Sequence, residues 1–239
     1  MNRPAAALTP QLPLALRYPP DQRFGSYAGA PAGALPRLRA LAETPGADWL
    51  YLSGAGKTGK THLALALCAA AEQAGRRAAY LPLAAAAGRM REALDALDGN
   101  GVIALDGLGR IAGDREDEIA LFDFHNRARS NGLGVLYTAQ ASPDELGLSL
   151  PDLRSRLQQC ARIVLSPLDD AGRAEVLRER AQRRGLVLED AAIDWLLTRT
   201  DRDLGALVGL FDTLDKASLA AQRRITVPFL RKVLGANSL

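Results

Sequence analysis

The sequence has few cysteines and no long apolar run, and each scarcity excludes a class of protein. Cys68 and Cys160 stand far apart in apolar segments, without CxxC or Cys/His spacing, so a disulfide scaffold and a zinc site are not indicated. We expect both thiols to be reduced and buried. No apolar run approaches the roughly 18 residues of a membrane helix, and the N-terminus does not resemble a secretory signal. A cytoplasmic protein without a membrane segment is therefore expected.

Lysine and aromatic residues are also scarce. Aromatic residues make up 5% of the chain, which offers few platforms for stacking nucleic-acid bases. The net charge is only +3 and its arginines are spread along the chain, so strong nucleic-acid binding is not indicated. Of 30 Lys and Arg residues only four are lysines, yet Lys57 and Lys60 lie within four residues of each other. That window is the first place to look for a function.

The order of apolar segments predicts an α/β domain followed by a helical one. After a leader with five prolines, strands and helices alternate, which is typical of a parallel sheet flanked by helices. We expect an extended leader over 1–20, the α/β domain over 21–165 and a small all-helical domain over 166–239. The predicted strands are 49–52, 78–83, 102–105, 134–138 and 161–165, and the predicted helices are 34–42, 60–73, 87–97, 116–130, 169–184, 189–200, 203–222 and 227–234.

A glycine-rich segment between the first strand and its helix predicts a phosphate-binding loop. It fits G-x-x-x-x-G-K-[ST] at every fixed position. Glycines let successive N–H groups turn toward phosphates, and the helix N-terminus adds its positive dipole. Lys60 is expected to contact the β- and γ-phosphates, and the Thr61 hydroxyl to bind Mg²⁺. The predicted nucleotide-binding residues here are Gly54, Ala55, Gly56, Lys57, Thr58, Gly59, Lys60, Thr61 and His62.

Asp106 is the second predicted metal ligand. It follows the apolar strand 102–105, at the carboxyl end where parallel sheets bind ligands. A solvated turn aspartate is the alternative, and the buried strand before it argues against that. The next position is Gly107, which has no side chain to polarise an attacking water. We therefore expect slow intrinsic hydrolysis of a bound nucleotide.

Other polar residues receive structural interpretations. His125 sits in an amphipathic helix, and no serine or cysteine pattern accompanies either histidine, so nucleophilic catalysis is not indicated. Trp49 and Trp195 are expected to pack in the core. The acidic run from Asp114 to Glu118 is expected to be a solvated loop and helix start.

The order of these motifs resembles that of AAA+ ATPases, and within them the DnaA-related initiator clade. Phe24 to Tyr27 resembles the segment that enters the DnaA nucleotide-binding domain, and Gly59 to Leu63 is similar as well. The resemblance implies a AAA+ P-loop domain followed by a helical lid. The chain ends at residue 239, so a helix-turn-helix DNA-binding domain is not expected.

The same resemblance implies roles for two arginines. Leu150 to Leu157 resembles the motif that carries an arginine finger, which implies that Arg156 acts in trans on a neighbour's nucleotide. Thr200 to Leu204 resembles the lid motif whose arginine touches the nucleotide, which implies nucleotide binding by Arg202. Gln140 stands where an initiator has an acidic sensor, so ADP is a possible working ligand beside ATP. From residue type alone, Arg156 could equally be a surface ion pair and Arg202 a solvent-facing helix residue.

The leader adds a resemblance to Hda proteins, the regulatory inactivators of DnaA. Residues 11–16, QLPLAL, resemble a peptide that docks on the replicative sliding clamp. Gln11 would fill a polar subsite, and Leu12, Leu14 and Leu16 an apolar groove. The alternative is a proline-rich leader that packs back on the domain. The partners implied are DnaA and the sliding clamp, with DNA contacted mainly through the clamp, and a homo-oligomer is also possible.

Two other functions belong to different classes. An ATP-dependent helicase loader of the DnaC type would bind single-stranded DNA itself, and the sequence has no basic, aromatic-rich extension for that purpose. A small-molecule P-loop kinase would need a lid over an acceptor substrate in place of the helical domain.

Overall fold

The computed structural model describes residues 22–27, 29–183, 185–199 and 225–235. The predicted leader, the predicted helix 203–222, the clamp-binding residues and Arg202 lie outside this part of the chain.

Five strands form one parallel sheet in the order β2-β3-β4-β1-β5. Every residue of β1 and β4 is buried, as expected for central strands covered on both faces. Because all strands run the same way, their carboxyl ends lie along a single edge. The strands are β1 (Leu50–Gly54), β2 (Ala78–Pro82), β3 (Val102–Asp106), β4 (Gly134–Ala139) and β5 (Ala161–Leu165).

Nine α-helices lie in the described ranges, with two short 3-10 turns at Phe24–Ser26 and Leu108–Arg110. Their bounds are α1 (Ala34–Glu43), α2 (Lys60–Gln73), α3 (Leu83–Ala86), α4 (Met90–Asp95), α5 (Arg115–Ser130), α6 (Pro151–Gln158), α7 (Asp170–Arg183), α8 (Asp190–Arg199) and α9 (Val227–Gly235). None of them is long and apolar enough to cross a membrane.

The hydrophobic core has two layers, one on each face of the sheet. Alternate strand residues point to opposite faces, so Leu50 and Leu52 pack with α1 and α2, while Tyr51 packs with α4, α5 and α6. Cys68 and Cys160 are both free and buried in these layers, as predicted. A separate cluster from α7, α8 and α9 forms the core of the C-terminal helices.

The predicted helix over 87–97 is too long, because within this range only α4, Met90–Asp95, is an α-helix. Gly88, between α3 and α4, has a left-handed φ of +77°. Such a residue ends a helix and turns the chain, and glycine adopts it at little steric cost. The C-terminal helices also contain one isolated parallel bridge, between Leu188 and Ile225, where no strand was predicted.

The acidic run starts a helix and is exposed over 114–116, as predicted, but its last two residues are buried. Asp114 caps α5 by accepting hydrogen bonds from the backbone N–H groups of Glu116 and Asp117. Asp117 is only 3% exposed and Glu118 is fully buried. Both side chains accept hydrogen bonds from backbone N–H groups of other loops, which is why these carboxylates tolerate burial.

A buried histidine lies between the sheet and α5. His125 Nδ1 is 3.0 Å from the hydroxyl oxygen of Tyr137, and its ring meets Trp49 edge-on with centroids 4.6 Å apart. Burial, together with the positive charges of Arg129 and Arg156, lowers the pKa of His125 to about 4. The imidazole is therefore neutral in the folded protein at physiological pH.

His125 should make stability fall in mild acid. Its pKa is about 4 when folded and about 6.5 when unfolded, so the unfolded state binds more protons as the pH falls below about 6.5. Between pH 7.5 and pH 5 we expect a loss of about 2 kcal/mol in unfolding free energy from this group. Urea unfolding at both pH values measures it. The His125→Phe variant should be less stable than the parent at pH 7.5, but its free energy of unfolding should fall less between pH 7.5 and pH 5. An equal fall in the variant and the parent would show that His125 is not the group responsible.

Candidate functional site

The glycine-rich segment forms a tight loop between the end of β1 and the start of α2. A Cβ on Gly54 would lie 2.5 Å from the carbonyl oxygen of Leu165 and 2.9 Å from Thr58 Oγ1. Gly59 has a left-handed φ of +86°, and a Cβ there would lie 2.6 Å from the ring of Tyr27. Glycine is therefore favoured at Gly54 by the close approach of another backbone segment and at Gly59 by the left-handed φ.

Lys60, the first residue of α2, reaches back into this loop. Its Nζ donates hydrogen bonds to the carbonyl oxygens of Gly54 at 2.6 Å and Ala55 at 2.7 Å, and it lies 3.3 Å from Thr58 Oγ1. Partial burial lowers the pKa of Lys60, while the nearby charge of Asp106 acts to raise it. The other loop lysine, Lys57, is exposed. Lys60 therefore places a cation at the centre of the loop.

The Asp106 carboxylate is the meeting point of three strands and a helix. Its Oδ2 accepts hydrogen bonds from the hydroxyls of Thr61 at 2.7 Å and Tyr80 at 2.8 Å, and its Oδ1 accepts one from Thr138. In the sheet, β4 lies between β1 and β3, and Thr138 pairs directly with Asp106. The order of the strands therefore brings residues that are far apart in sequence to the carboxylate predicted to bind metal.

The donor set at Asp106 fits Mg²⁺. The ion prefers oxygen ligands and commonly combines one or two protein ligands with phosphate oxygens and water. Thr61 and Asp106 supply one hydroxyl and one carboxylate in direct contact. Among the described residues no group of three or more His, Cys, Asp or Glu could hold a metal alone. A cation here would therefore depend on a phosphate ligand.

Gly107, which follows Asp106, has a backbone that suits glycine. Its φ is +91°, a conformation strained for any residue with a side chain. Its N–H donates to Thr138 Oγ1 at 3.0 Å and lies 3.2 Å from the carbonyl oxygen of the same residue. The local backbone thus disfavours an acidic residue at this position, and replacing Gly107 with Glu would strain the turn.

The segment that enters the domain is attached to the phosphate loop. Tyr27 donates a hydrogen bond from its hydroxyl to the carbonyl oxygen of Thr58 at 2.8 Å, and burial raises its pKa to about 12. His62 Nε2 lies 3.0 Å from the carbonyl oxygen of Arg23, and its ring centroid is 5.5 Å from that of Tyr27. Residues 23–27 are therefore bonded both to the loop and to the first turn of α2.

Arg156 lies on α6, away from the phosphate loop. Its carbonyl oxygen is 3.8 Å from Cys160 Sγ, just before β5 begins. Ala161, the first residue of β5, pairs with Leu50 at the start of β1, whereas the phosphate loop follows the end of β1. Arg156 is exposed, and no hydrogen bond or ion pair to its guanidinium is found within the described ranges.

Gln140 does not join the Asp106 cluster. Gln140 follows the end of β4 and is exposed. Arg202 lies outside the described residues.

Sequence reasoning missed Tyr80 as a member of the site and gave Thr138 no role. Tyr80 is half-buried in β2, and burial raises its pKa, as does the charge of Asp106 beside it. Tyr80 lies in β2 and Thr138 lies in β4, and these two strands flank β3. A polar side chain near the end of a predicted strand could have indicated a site residue. Only the strand order shows which carboxylate that side chain contacts.

Comparison with known proteins agrees with this architecture. Residues 170–234 match a family model described as the Hda lid domain. The fold is similar to domain III of the replication initiation protein DnaA from Thermotoga maritima, with a TM-score of 0.74 and 18% identity over 92% of this chain and 98% of that one.

Two further solved structures share the fold. The AMPPCP-bound DnaA from Aquifex aeolicus has a TM-score of 0.65 and 21% identity over 82% of this chain and 66% of that one. The Thermotoga maritima RuvB Holliday junction branch migration motor has a TM-score of 0.60 and 18% identity over 90% of this chain and 72% of that one. The chain therefore shares the fold of these proteins, and its C-terminal helices match the Hda lid domain.

Proposed function

We propose that this protein regulates DnaA. It binds an adenine nucleotide, docks on the DNA-loaded sliding clamp and promotes hydrolysis of the ATP bound to DnaA, which limits re-initiation of replication. The observation that carries the proposal is the position of Arg156, exposed on α6 toward the amino ends of the strands while the phosphate loop lies at their carboxyl ends. An arginine placed there suits a neighbour's nucleotide better than the chain's own.

The nucleotide would bind in the loop from Gly54 to Thr61, with Lys60 beside its phosphates. Mg²⁺ would be held by Thr61 and Asp106, where it neutralises phosphate charge. Arg202 of the lid is proposed as a further phosphate contact. Tyr80 and Thr138 orient the Asp106 carboxylate through their hydroxyls. The AMPPCP-bound DnaA of the same fold supports an adenine nucleotide, and ADP and ATP are both candidates.

Hydrolysis by the protein alone should be slow. Gly107 offers no side chain to orient water, and its positive φ disfavours any residue that would. The nucleotide would then act mainly to fix the protein's conformation, while Arg156 acts on the partner. A turnover of about one per second or more by the purified chain would instead favour an ATP-driven loader of the DnaC type.

The match to the Hda lid domain supports DnaA as the partner, and the leader sequence supports the clamp. The clamp would also bring this protein close to DNA without a DNA-binding surface of its own, in line with the modest net charge of +3.

Lys60→Ala should weaken ADP binding by at least about tenfold, because a charge-assisted contact to phosphate is lost at the centre of the loop. Isothermal titration calorimetry measures it. Lys57→Asn is the control for loss of side-chain charge, since the Lys57 side chain is exposed and Asn tolerates the left-handed φ of +66° at that position. This change keeps the backbone N–H that the loop would offer to phosphate. Unchanged affinity in Lys60→Ala would mean that phosphates bind elsewhere.

Replacing Gln11, Leu12 and Leu14 with alanine should abolish binding to the purified clamp, because the amide and the apolar anchors of the proposed peptide are removed together. Gel filtration of the mixture reports the complex, and ADP binding should persist. Leu8→Ala, which removes an apolar residue from the same leader outside the hexapeptide, should bind as the parent does. Co-elution of the triple variant with the clamp would refute the docking peptide.

Arg156→Ala should remove most of the stimulation of ATP hydrolysis by DnaA, measured with clamp, DNA and ATP-loaded DnaA. Loss of a finger that neutralises transition-state charge costs about a thousandfold in related chemistry. Its binding of ADP and clamp should be unaffected, because α6 lies apart from the loop. Arg154→Ala is the control: two positions apart on a helix, the side chains point to different sides. Full stimulation by Arg156→Ala would reject Arg156 as the trans-acting arginine. If only Arg154→Ala loses stimulation, Arg154 is the finger.

A further inference from the structure

A buried carboxylate in the first turn of α5 holds the start of the helix that carries Arg156. Glu118 is fully buried. Its Oε1 accepts hydrogen bonds from the N–H groups of Gly113 at 2.7 Å and Ser149 at 3.0 Å. Its Oε2 accepts one from the Ser149 hydroxyl at 2.9 Å and one from the Leu150 N–H at 2.6 Å. All four bonds go to loops, and three of them reach the two residues that precede α6.

The carboxylate is charged in spite of its burial. Burial acts to raise the pKa of Glu118, but the hydrogen bonds from Ser149, Gly113 and Leu150 outweigh it and hold the pKa below its usual value. No Lys or Arg forms an ion pair with Glu118 within the described part of the chain. The charge is therefore stabilised by oriented N–H and O–H donors and by the N-terminus of α5.

These bonds fix α6 at one end, and the core fixes its rotation. Leu150 is the N-cap residue of α6, and Pro151 begins the helix. Leu153 and Leu157 are both fully buried, so the helix cannot turn about its axis without opening the core. Arg156 lies between these two leucines in sequence and points outward. With its start and its rotation both set, the exit point of the Arg156 side chain is set as well.

We propose that Glu118 is a positioning residue for Arg156, which holds α6 in the register that a trans-acting arginine needs. The inference rests on the proposed function, because it concerns how Arg156 meets a neighbour's nucleotide. Glu118 touches neither nucleotide nor partner in this scheme and acts only through the N-terminus of α6.

The bond pattern requires a carboxylate with two acceptor oxygens. Glu118→Gln keeps the size but turns one oxygen into an NH₂ group, which cannot accept from the donors that face it. If the NH₂ group replaces Oε1, the N–H groups of Gly113 and Ser149 lose their acceptor. If it replaces Oε2, the N–H of Leu150 loses its acceptor. The start of α6 should then shift or loosen while the sheet and the phosphate loop stay in place.

The neighbouring acid provides a matched control. Asp117 is also buried, but its carboxylate accepts hydrogen bonds from Gly88 N–H at 2.8 Å and Met90 N–H at 3.3 Å, on the side of α4. Asp117→Asn therefore makes the same chemical change in the same helical turn without touching α6. Any effect that comes from weakening α5 in general should appear in both variants.

The experiment compares full-length Glu118→Gln, Asp117→Asn, Arg156→Ala and the double variant Glu118→Gln/Arg156→Ala. The maximal rate of DnaA ATP hydrolysis is measured at saturating regulator, with clamp and DNA present. We expect Glu118→Gln to lose about ten- to hundredfold of the stimulated rate, since a displacement near 1 Å costs that much in positioned chemistry. The concentration for half-maximal effect, ADP affinity and clamp binding should stay close to the parent values. The double variant should be no worse than Arg156→Ala alone.

Asp117→Asn should retain stimulation within about twofold even if its unfolding midpoint falls as far as that of Glu118→Gln. Equal loss of rate in both variants would overturn the inference in favour of general destabilisation. If Arg156→Ala fails and Glu118→Gln stimulates fully, the inference alone is wrong. If Arg156→Ala stimulates fully, the proposed function is wrong and the inference with it.

Should Glu118→Gln not fold, Ser149→Ala serves instead, because it removes one of the four bonds and leaves the carboxylate in place. It should lower the stimulated rate by a smaller factor and speed hydrogen exchange at the start of α6. If Ser149→Ala has the same stimulated rate and the same hydrogen exchange at the start of α6 as the parent, the inference is overturned.

Discussion

The placement of β4 between β1 and β3 is the constraint on which the candidate site depends. In a fully parallel sheet it brings the ends of three strands to one edge, and the phosphate loop, Asp106 and Thr138 meet there. Hydroxyls from Thr61, Tyr80 and Thr138 then orient the carboxylate from separate directions. A carboxylate oriented in this way is already ordered before a cation binds, which lowers the entropic cost of ordering it on binding.

Backbone constraints complete the site. Gly54 permits the close approach of the Leu165 carbonyl, and Gly59 takes a left-handed φ beside the Tyr27 ring, so the loop can turn tightly between β1 and α2. Gly107 adopts a left-handed conformation and directs its N–H to Thr138. The same backbone that orders the Asp106 turn therefore works against an acidic side chain at the next position. Under the proposed function, a loop that binds phosphates beside a turn poorly suited to activating water would hold the nucleotide without hydrolysing it rapidly.

Local sequence patterns predicted most of the sheet and its helices, because central strands are continuous apolar runs and glycines mark the loop. The bounds of α2 and β5 agree with the prediction at both ends. Gly88 was an available signal for the break between α3 and α4 that the alanine-rich composition obscured. Tyr80 could not be assigned to Asp106 without the strand order, since the two residues are 26 positions apart. The buried acids of α5 were misread because charge in a first helical turn usually faces water, and only the loops folded over it show otherwise.

Those acids show how one helix end can organise two parts of the domain. Asp117 binds the loop before α4, and Glu118 binds the loop before α6, so a single turn connects elements that are distant in sequence. Charged acceptors bind N–H groups more strongly than neutral ones do, and each carboxylate can serve several donors at once. Burying two carboxylates costs free energy, but the network is rigid once each carboxylate has its hydrogen-bond donors. For the proposed function, rigidity matters at α6, because Arg156 would neutralise charge in a neighbouring molecule only if its helix kept its position when the two molecules meet.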